Sequence, residues 1–379
     1  MLKKRILIYQ NEFSSYGGYK TANDIELGLK TKFNFFRISN LNVKFKLQYK
    51  LIKVINNFLS YFFNESITIP FTPVLSKKKI KYDKILIGYA NEIYSLNKLN
   101  NSKIKKIFIV NDEWIFNGFS HFNLHGNRYK DILIKLIQIY TFNLIKKKLE
   151  KSRSFYFIFS CNYFKNIALK KFNLPYQNHI TIKNPINTKF WKKKNLRLVN
   201  NIKKKLLLNK NYFYILIYLR NGFENYRKGG DRFKKLISSL KKYDDIKFII
   251  IGTTRKDQIQ NCIFIQTRDL YFIKEIIYAS NISINLSRAE GIPYSILETM
   301  SCGTPVISMN SGGINEIINN NVNGFLFSKF NSRQIIKKIF FLKNNKKILN
   351  RLGNNASLDV LTKHGQKKIL RDYFKILKN

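Results

Sequence analysis

Two glutamates, Glu290 and Glu298, stand eight residues apart within residues 287–316, SRAEGIPYSILETMSCGTPVISMNSGGINE. Glu290 follows the apolar run ISINLSR, so it falls at the carboxyl end of a buried strand, where open sheets gather their ligand groups. Gly291, Ile292 and Pro293 then turn the chain into a helix starting near Tyr294. Pro293 is tolerated there because an early helical position needs no N–H partner. The backbone of this helix start, from Gly291 to Ser295, is expected to form an anion site. Glu298, in the first turns of the same helix, suits a pair of neighbouring hydroxyls such as a ribose offers. Gly312 and Gly313 in SGGINEI repeat the arrangement, with close backbone approach and a second helix expected after them. Glu316 fits equally well as an acid at that helix start.

Acids and glycines collect here in a chain with 69 basic against 22 acidic residues and a formal charge of +47. Such an excess points to an anionic partner: a phosphate-bearing ligand, nucleic acid or an acidic membrane surface. The abundance of Lys, Asn, Ile, Phe and Tyr also has a plainer reading, compositional drift on solvated faces around one functional basic patch. No RNA- or DNA-binding motif is present, so nucleic acid is not expected as a partner. Cys161, Cys262 and Cys302 are widely spaced without a C-x-x-C pair, which supports neither a disulfide framework nor a zinc site. The apolar run after the basic start MLKKR is too short for a signal peptide, and no run reaches the ~18 residues that span a bilayer. The expected location is the cytoplasm, with contact to the inner face of the membrane left open. Residues 43–63, with Leu47, Leu51, Ile55, Phe58 and Phe62 on one helical face and lysines elsewhere, suit an interfacial helix and suit a core-facing one better.

The elements that position these residues are short β-branched runs alternating with helical patterns. RILIYQ, KILIGYA, KIFIVND and SFYFIFS lie in the first half, and YILIYLR, KFIIIGTT, CIFIQTRD, ISINLSR and TPVISMN in the second. Near-continuous apolar strands belong to parallel sheets covered by helices on both faces. At 379 residues the chain is expected to form two doubly wound α/β domains. The first spans residues 1–192 and the second 193–354, with a terminal helix at 355–379 that can return to the first.

The segments EGIPYSILE, MSCGTPVISMNSGGINEII and NGFLF resemble the signature of family 4 glycosyltransferases, retaining enzymes of the two-domain GT-B fold that use nucleotide sugars. The resemblance covers nearly the whole chain and is strongest over residues 215–327. It implies two Rossmann-like domains facing across a cleft, an acceptor domain first and a donor domain second. By resemblance Glu290 lies by the transferred sugar, Glu298 holds the ribose, and Gly312 and Gly313 border the nucleotide. The family also neutralises the diphosphate with an Arg and a Lys. Within IYLRNGFENYRKGGDRF these fall on Arg220 and Lys228, and because the loop is longer than usual Arg227 can share the second role. Fixed cations near a departing diphosphate stabilise the charge that develops there. No D-x-D motif occurs, so neither a metal nor a resident cofactor is expected.

In the first half YGGYKTANDIELGLK resembles the family's glycine turn, which assigns Gly17 and Gly18 to acceptor binding. IVNDEWIFNGFSHF resembles an HD-x-W-x-F-x-G-x-x-x-H segment of members that build exopolysaccharide and O-antigen chains. Asp112, Trp114 and His121 match it and join the acceptor set. Asn111 stands where the family has His, near the transferred sugar, and Asn cannot titrate. Altered or lost activity is therefore one alternative. A sugar-nucleotide epimerase of the same fold and a basic nucleic-acid-binding protein are the others. The leading expectation is a retaining hexosyltransferase acting on a glycan or lipid-linked acceptor in cell-surface polysaccharide or lipopolysaccharide synthesis.

Overall fold

The computed structural model describes residues 3–9, 20–38, 82–88, 104–117, 139–140, 142–143, 146–147, 149, 154–253 and 259–379. Two compact units divide the chain: Met1–Pro185 with Lys367–Asn379, and Ile186–Gln366. Gly17, Gly18, His121 and the lysine-rich stretch 43–63 lie outside the described residues.

The first unit holds a parallel sheet of β1 (Arg5–Tyr9), β2 (Asn34–Ile38), β3 (Lys84–Ile87), β4 (Lys105–Val110), β5 (Phe155–Phe159) and β6 (His179–Thr181). Its strand order is β2-β1-β3-β4-β5-β6. The second holds β7 (Phe213–Tyr218), β8 (Ile246–Ile251), β9 (Cys262–Ile265), β10 (Ile282–Asn285), β11 (Val306–Met309) and β12 (Gly324–Phe327), ordered β12-β11-β10-β7-β8-β9. Every pairing in both sheets is parallel. All the runs named from sequence are strands. β2, β6 and β12 are additional, and all three are edge strands, or the strand ending a sheet, with little of the two-sided burial that makes a continuous apolar run.

Burial explains the pattern. Ile215, Ile217, Phe248, Ile250, Ile282 and Ile284 are closed from solvent beneath helices such as Gly230–Leu240 and Ser332–Asn344. Each such side chain contributes about 2 kcal/mol by leaving water.

The division differs from the expected one at both crossings. Trp191 is fully buried and its carbonyl accepts the Ser301 hydroxyl, while Phe190 packs edge-on against Tyr271, so residues 186–192 belong to the second unit. The C-terminal segment is two helices, Lys346–His364 and Gln366–Lys378, broken at Gly365. Only the second returns to the first unit, where Ile369, Tyr373 and Leu377 enter the core beside Ile6, Ile8, Ala22 and Ile25. Gly28 admits this helix, because a Cβ there would stand 2.1 Å from a Leu370 methyl. Nor are all cations on wet faces. Lys106 is buried on β4 with its ammonium on the Ser154 hydroxyl at 2.9 Å.

Candidate functional site

In the second sheet the winding reverses between the adjoining strands β7 and β10, and loops leaving such a switch point splay apart at the strands' carboxyl ends. Apart from Gly312 and Gly313, which follow β11, every residue assigned to the donor lies on these two exits or in the helix just after them. Arg220 is exposed two residues beyond β7. Asn225 accepts the Lys228 amide at 3.0 Å and donates to the Arg220 carbonyl at 2.9 Å, which ties the loop's cations together. The loop ends at Gly229, whose φ of +74° and whose Cβ, if present, 2.2 Å from the Leu286 carbonyl oxygen require glycine. The loop therefore lies directly on the β10 exit.

On that exit Glu290 is buried, and one carboxylate oxygen pairs with the Lys228 ammonium. The other stands 3.3 Å from Arg227 Nη1, which also donates to the Ala289 carbonyl at 3.1 Å. Burial on its own would raise the Glu290 carboxyl, but Lys228 and Arg227 outweigh it and hold the group below its usual value. Lys228 is pushed down, first by burial, against the pull of Glu290 and with Arg227 and Arg220 adding repulsion. Two cations thus pair with one carboxylate while Arg220 acts on Lys228 from the β7 exit, and the group carries a surplus of positive charge that a diphosphate would complement.

Pro293 caps the helix Tyr294–Ser301, as expected, and Gly291, Ile292 and Tyr294 are buried beside it with Ser295 half-buried. The positive end of the helix dipole stands at the β10 exit. Glu298 is buried one turn further on, close to the Tyr218 phenol at the end of β7. Burial first, and then the charge of Glu298, drive that phenol well above its usual value, so Tyr218 stays a neutral phenol near the carboxylate.

The glycine pair differs from expectation. Gly312–Glu316 is a short 3-10 helix, too brief to supply an anion-binding terminus. Gly312 has φ +62°, and the Gly313 amide donates to the Glu290 carbonyl at 3.3 Å. The pair braces the backbone of Glu290.

In the first unit Asn111 lies at the carboxyl end of β4. Its amide donates to Thr21 Oγ1 at 3.3 Å, and that hydroxyl donates to Asn184 Oδ1 at 3.0 Å. Asp112 is half-buried next to it, and Trp114 opens the helix Trp114–Asn117. Glu113, which sequence reasoning passed over, is buried and accepts from Tyr163 at 3.0 Å and Asn117 at 2.9 Å, anchoring this segment. Also passed over were Asn225, Tyr218 and the pair Arg288–Asp231. Among the described residues no group of three or more His, Cys, Asp or Glu could hold a metal ion, and no helix is long and apolar enough to cross a membrane.

Comparison with known proteins bears on the family and the fold. Residues 199–359 match the sequence profile of the family described as Glycosyl transferases group 1. The chain is 26% identical over 384 residues to an uncharacterized glycosyltransferase of Haemophilus influenzae, covering 97% of this chain and 91% of that one. It is 26% identical over 160 residues, 40% of this chain and 41% of that one, to N,N'-diacetylbacillosaminyl-diphospho-undecaprenol alpha-1,3-N-acetylgalactosaminyltransferase of Campylobacter jejuni. Among solved structures, Anabaena Alr3699/HepE in complex with UDP-glucose superposes with a TM-score of 0.70 at 13% identity over 99% of both chains. Sucrose-phosphate synthase from Thermosynechococcus elongatus gives 0.72 at 12% identity over 99% of this chain and 98% of that one. These last two likenesses are of fold, the two-unit parallel α/β architecture of GT-B. Residues 199–359 thus resemble a glycosyl transferases group 1 domain, and the chain that carries them is a transferase enzyme.

Proposed function

We propose that this transferase moves a hexose-type sugar, with retention of configuration, from a nucleoside diphosphate sugar to a hydroxyl of a glycan or lipid-linked acceptor. The observation that supports the donor is the pairing of Arg227 and Lys228 with Glu290 at the β7–β10 switch point, with Arg220 acting on Lys228 from the β7 exit and Glu298 eight residues along. On this reading the cations take the diphosphate and Glu298 accepts the two ribose hydroxyls. Glu290, kept ionised, accepts from a sugar hydroxyl. The C1–O bond to the phosphate breaks as the acceptor oxygen bonds C1 on the same face, and the acceptor proton passes to the leaving phosphate oxygen. The side-chain cations supply the charge stabilisation that a metal ion gives in other transferases, so transfer should survive EDTA. Asn111, Asp112 and Trp114, with Gly17, Gly18 and His121, form the acceptor side of the reading.

The named substrate of the Campylobacter relative, an undecaprenol-linked sugar, supports a lipid-linked acceptor. On this reading the product belongs to cell-surface polysaccharide or lipopolysaccharide synthesis and is made on the cytoplasmic side of the membrane. Calorimetry with UDP- and GDP-sugars tests the donor. Glu298→Ala and Arg220→Ala should each weaken binding about tenfold, the size of one charge-assisted contact. Unchanged affinity in both variants would refute the assignment. NMR of donor incubated alone separates transfer from epimerisation, and the anomeric signal of the product reads retention.

A further inference from the structure

Arg288, two residues before Glu290, occupies the centre of the contact between the two exits. Its amide donates to the Arg227 carbonyl at 2.8 Å. Its guanidinium reaches the Tyr226 carbonyl at 2.7 Å and grips both carboxylate oxygens of Asp231 at 2.7 Å each. The same guanidinium lies 3.6 Å over the centre of the Tyr226 ring. Arg288 is 16% exposed at its side chain and Asp231 47%, so the guanidinium half of this fork is shielded from water while the carboxylate half faces it. Asp231 in turn opens the helix Gly230–Leu240, where a carboxylate is favoured by the helix dipole. Arg288 therefore holds Tyr226 and Arg227 on one side of Lys228 and Asp231 on the other.

From this we infer that Arg288 is a positioning residue: it fixes the loop 225–231 against the β10 exit, and so sets where the Lys228 and Arg227 cations stand for the diphosphate of the donor. The inference rests on the donor reading above. Arg288 does not touch the ligand in this scheme, because both of its terminal nitrogens are engaged, Nη1 by the Tyr226 carbonyl and Asp231 and Nη2 by Asp231. Lysine could not substitute, since one ammonium cannot make the planar two-pronged grip and the ring stacking together.

Two measurements on the full chain decide it. The first is hydrogen exchange without ligand. Arg288→Ala should speed exchange in residues 225–231 at least about tenfold while the β7 and β8 amides keep their protection. The second is calorimetry with UDP and with GDP as probes. Arg288→Ala should weaken binding about tenfold, Arg288→Lys should recover less than half of that loss, and added guanidinium at millimolar level should restore it in Arg288→Ala, which a global destabilisation would not permit. The loss should also shrink when Lys228→Ala is already present, and fall to about twofold or less when Arg227→Ala is present as well, because the effect runs through these two cations. Unchanged loop exchange, unchanged nucleotide affinity, or a loss that simply adds to that of Lys228→Ala would each overturn the inference. A wild-type chain that binds neither nucleotide overturns the donor reading instead, and the exchange measurement then still reports whether Arg288 holds the loop.

Discussion

Lys228 and Glu290 meet as an ion pair although they come from different loops, one leaving β7 and the other β10. The pair closes the switch point of the second sheet, and its carboxylate half is buried. Glu290→Gln keeps the shape but leaves Lys228 and Arg227 without their counter-charge, a loss of about 3 kcal/mol of stability for a buried pair. Both cations then remain for the diphosphate alone. Glu290→Gln should therefore hold UDP within about threefold of wild type while transfer falls at least about a hundredfold, a split between binding and turnover. The pH dependence has a definite sign. Lys228 and Arg227 outweigh burial and depress the Glu290 carboxyl in the fold, so its contribution is complete above the unfolded carboxyl value of 4.5 and is lost as pH falls through the lower folded value. Urea midpoints at pH 7 and in the acid range should show that loss in wild type and not in Glu290→Gln.

Much of this site is written locally in the chain. The strand runs are legible because strands buried on both faces carry no polar alternation. Glu290 and Glu298 are legible because one strand exit and one helix contain both. The braces of the site are not local. Asn225 reaches Arg220 and Lys228 only once the loop has folded back, and Arg288 reaches Asp231 across 57 positions. A single acid among several lysines gives no sign of which cation it will meet. The glycine pair 312–313 misleads for a related reason. Its turn chemistry is real, but the chain after it carries the Glu290 backbone instead of a long helix.

Lys194 gives a second pH signature, with the opposite chemistry. Its ammonium donates to the carbonyls of Ser280 at 2.6 Å and Tyr278 at 3.2 Å, at the end of the helix Leu270–Ala279. Burial, opposed by Cys302 and helped by Lys203, pushes it down to about 7. Between that value and its unfolded 10.5 the unfolded chain holds a proton that the folded chain releases, so stability rises with pH across the window. The slope reaches up to about 1.4 kcal/mol per pH unit. Lys84, pushed down to about 8 chiefly by its own burial, adds a similar rise, so the informative quantity is the difference between variants. Lys194→Met should flatten the increase in urea midpoint between pH 7 and pH 9 relative to wild type, whatever its effect at pH 7. An identical slope in the two proteins would show that Lys194 keeps its proton.

The C-terminal helix Gln366–Lys378 belongs to the core of the first unit, although it follows directly on the second in the chain. Ile369, Tyr373 and Leu377 are no more than 3% exposed, and their burial contributes about 6 kcal/mol at roughly 2 kcal/mol each, an amount similar to the whole stability of a small domain. Lys84 also loses a partner without this helix, because its ammonium donates to the Ile376 carbonyl at 2.7 Å. A chain ending at residue 366 should therefore unfold in its first unit and keep its second. Near-UV circular dichroism and limited proteolysis should find residues 186–366 as the protected fragment. That fragment contains every residue of the proposed donor site, so it should bind nucleotide with the affinity of the full chain and catalyse no transfer. Residues 1–185 alone should fail to fold and should recover structure when a peptide of residues 366–379 is added, because the three side chains it supplies complete the apolar layer beneath Ile6, Ile8 and Ile25.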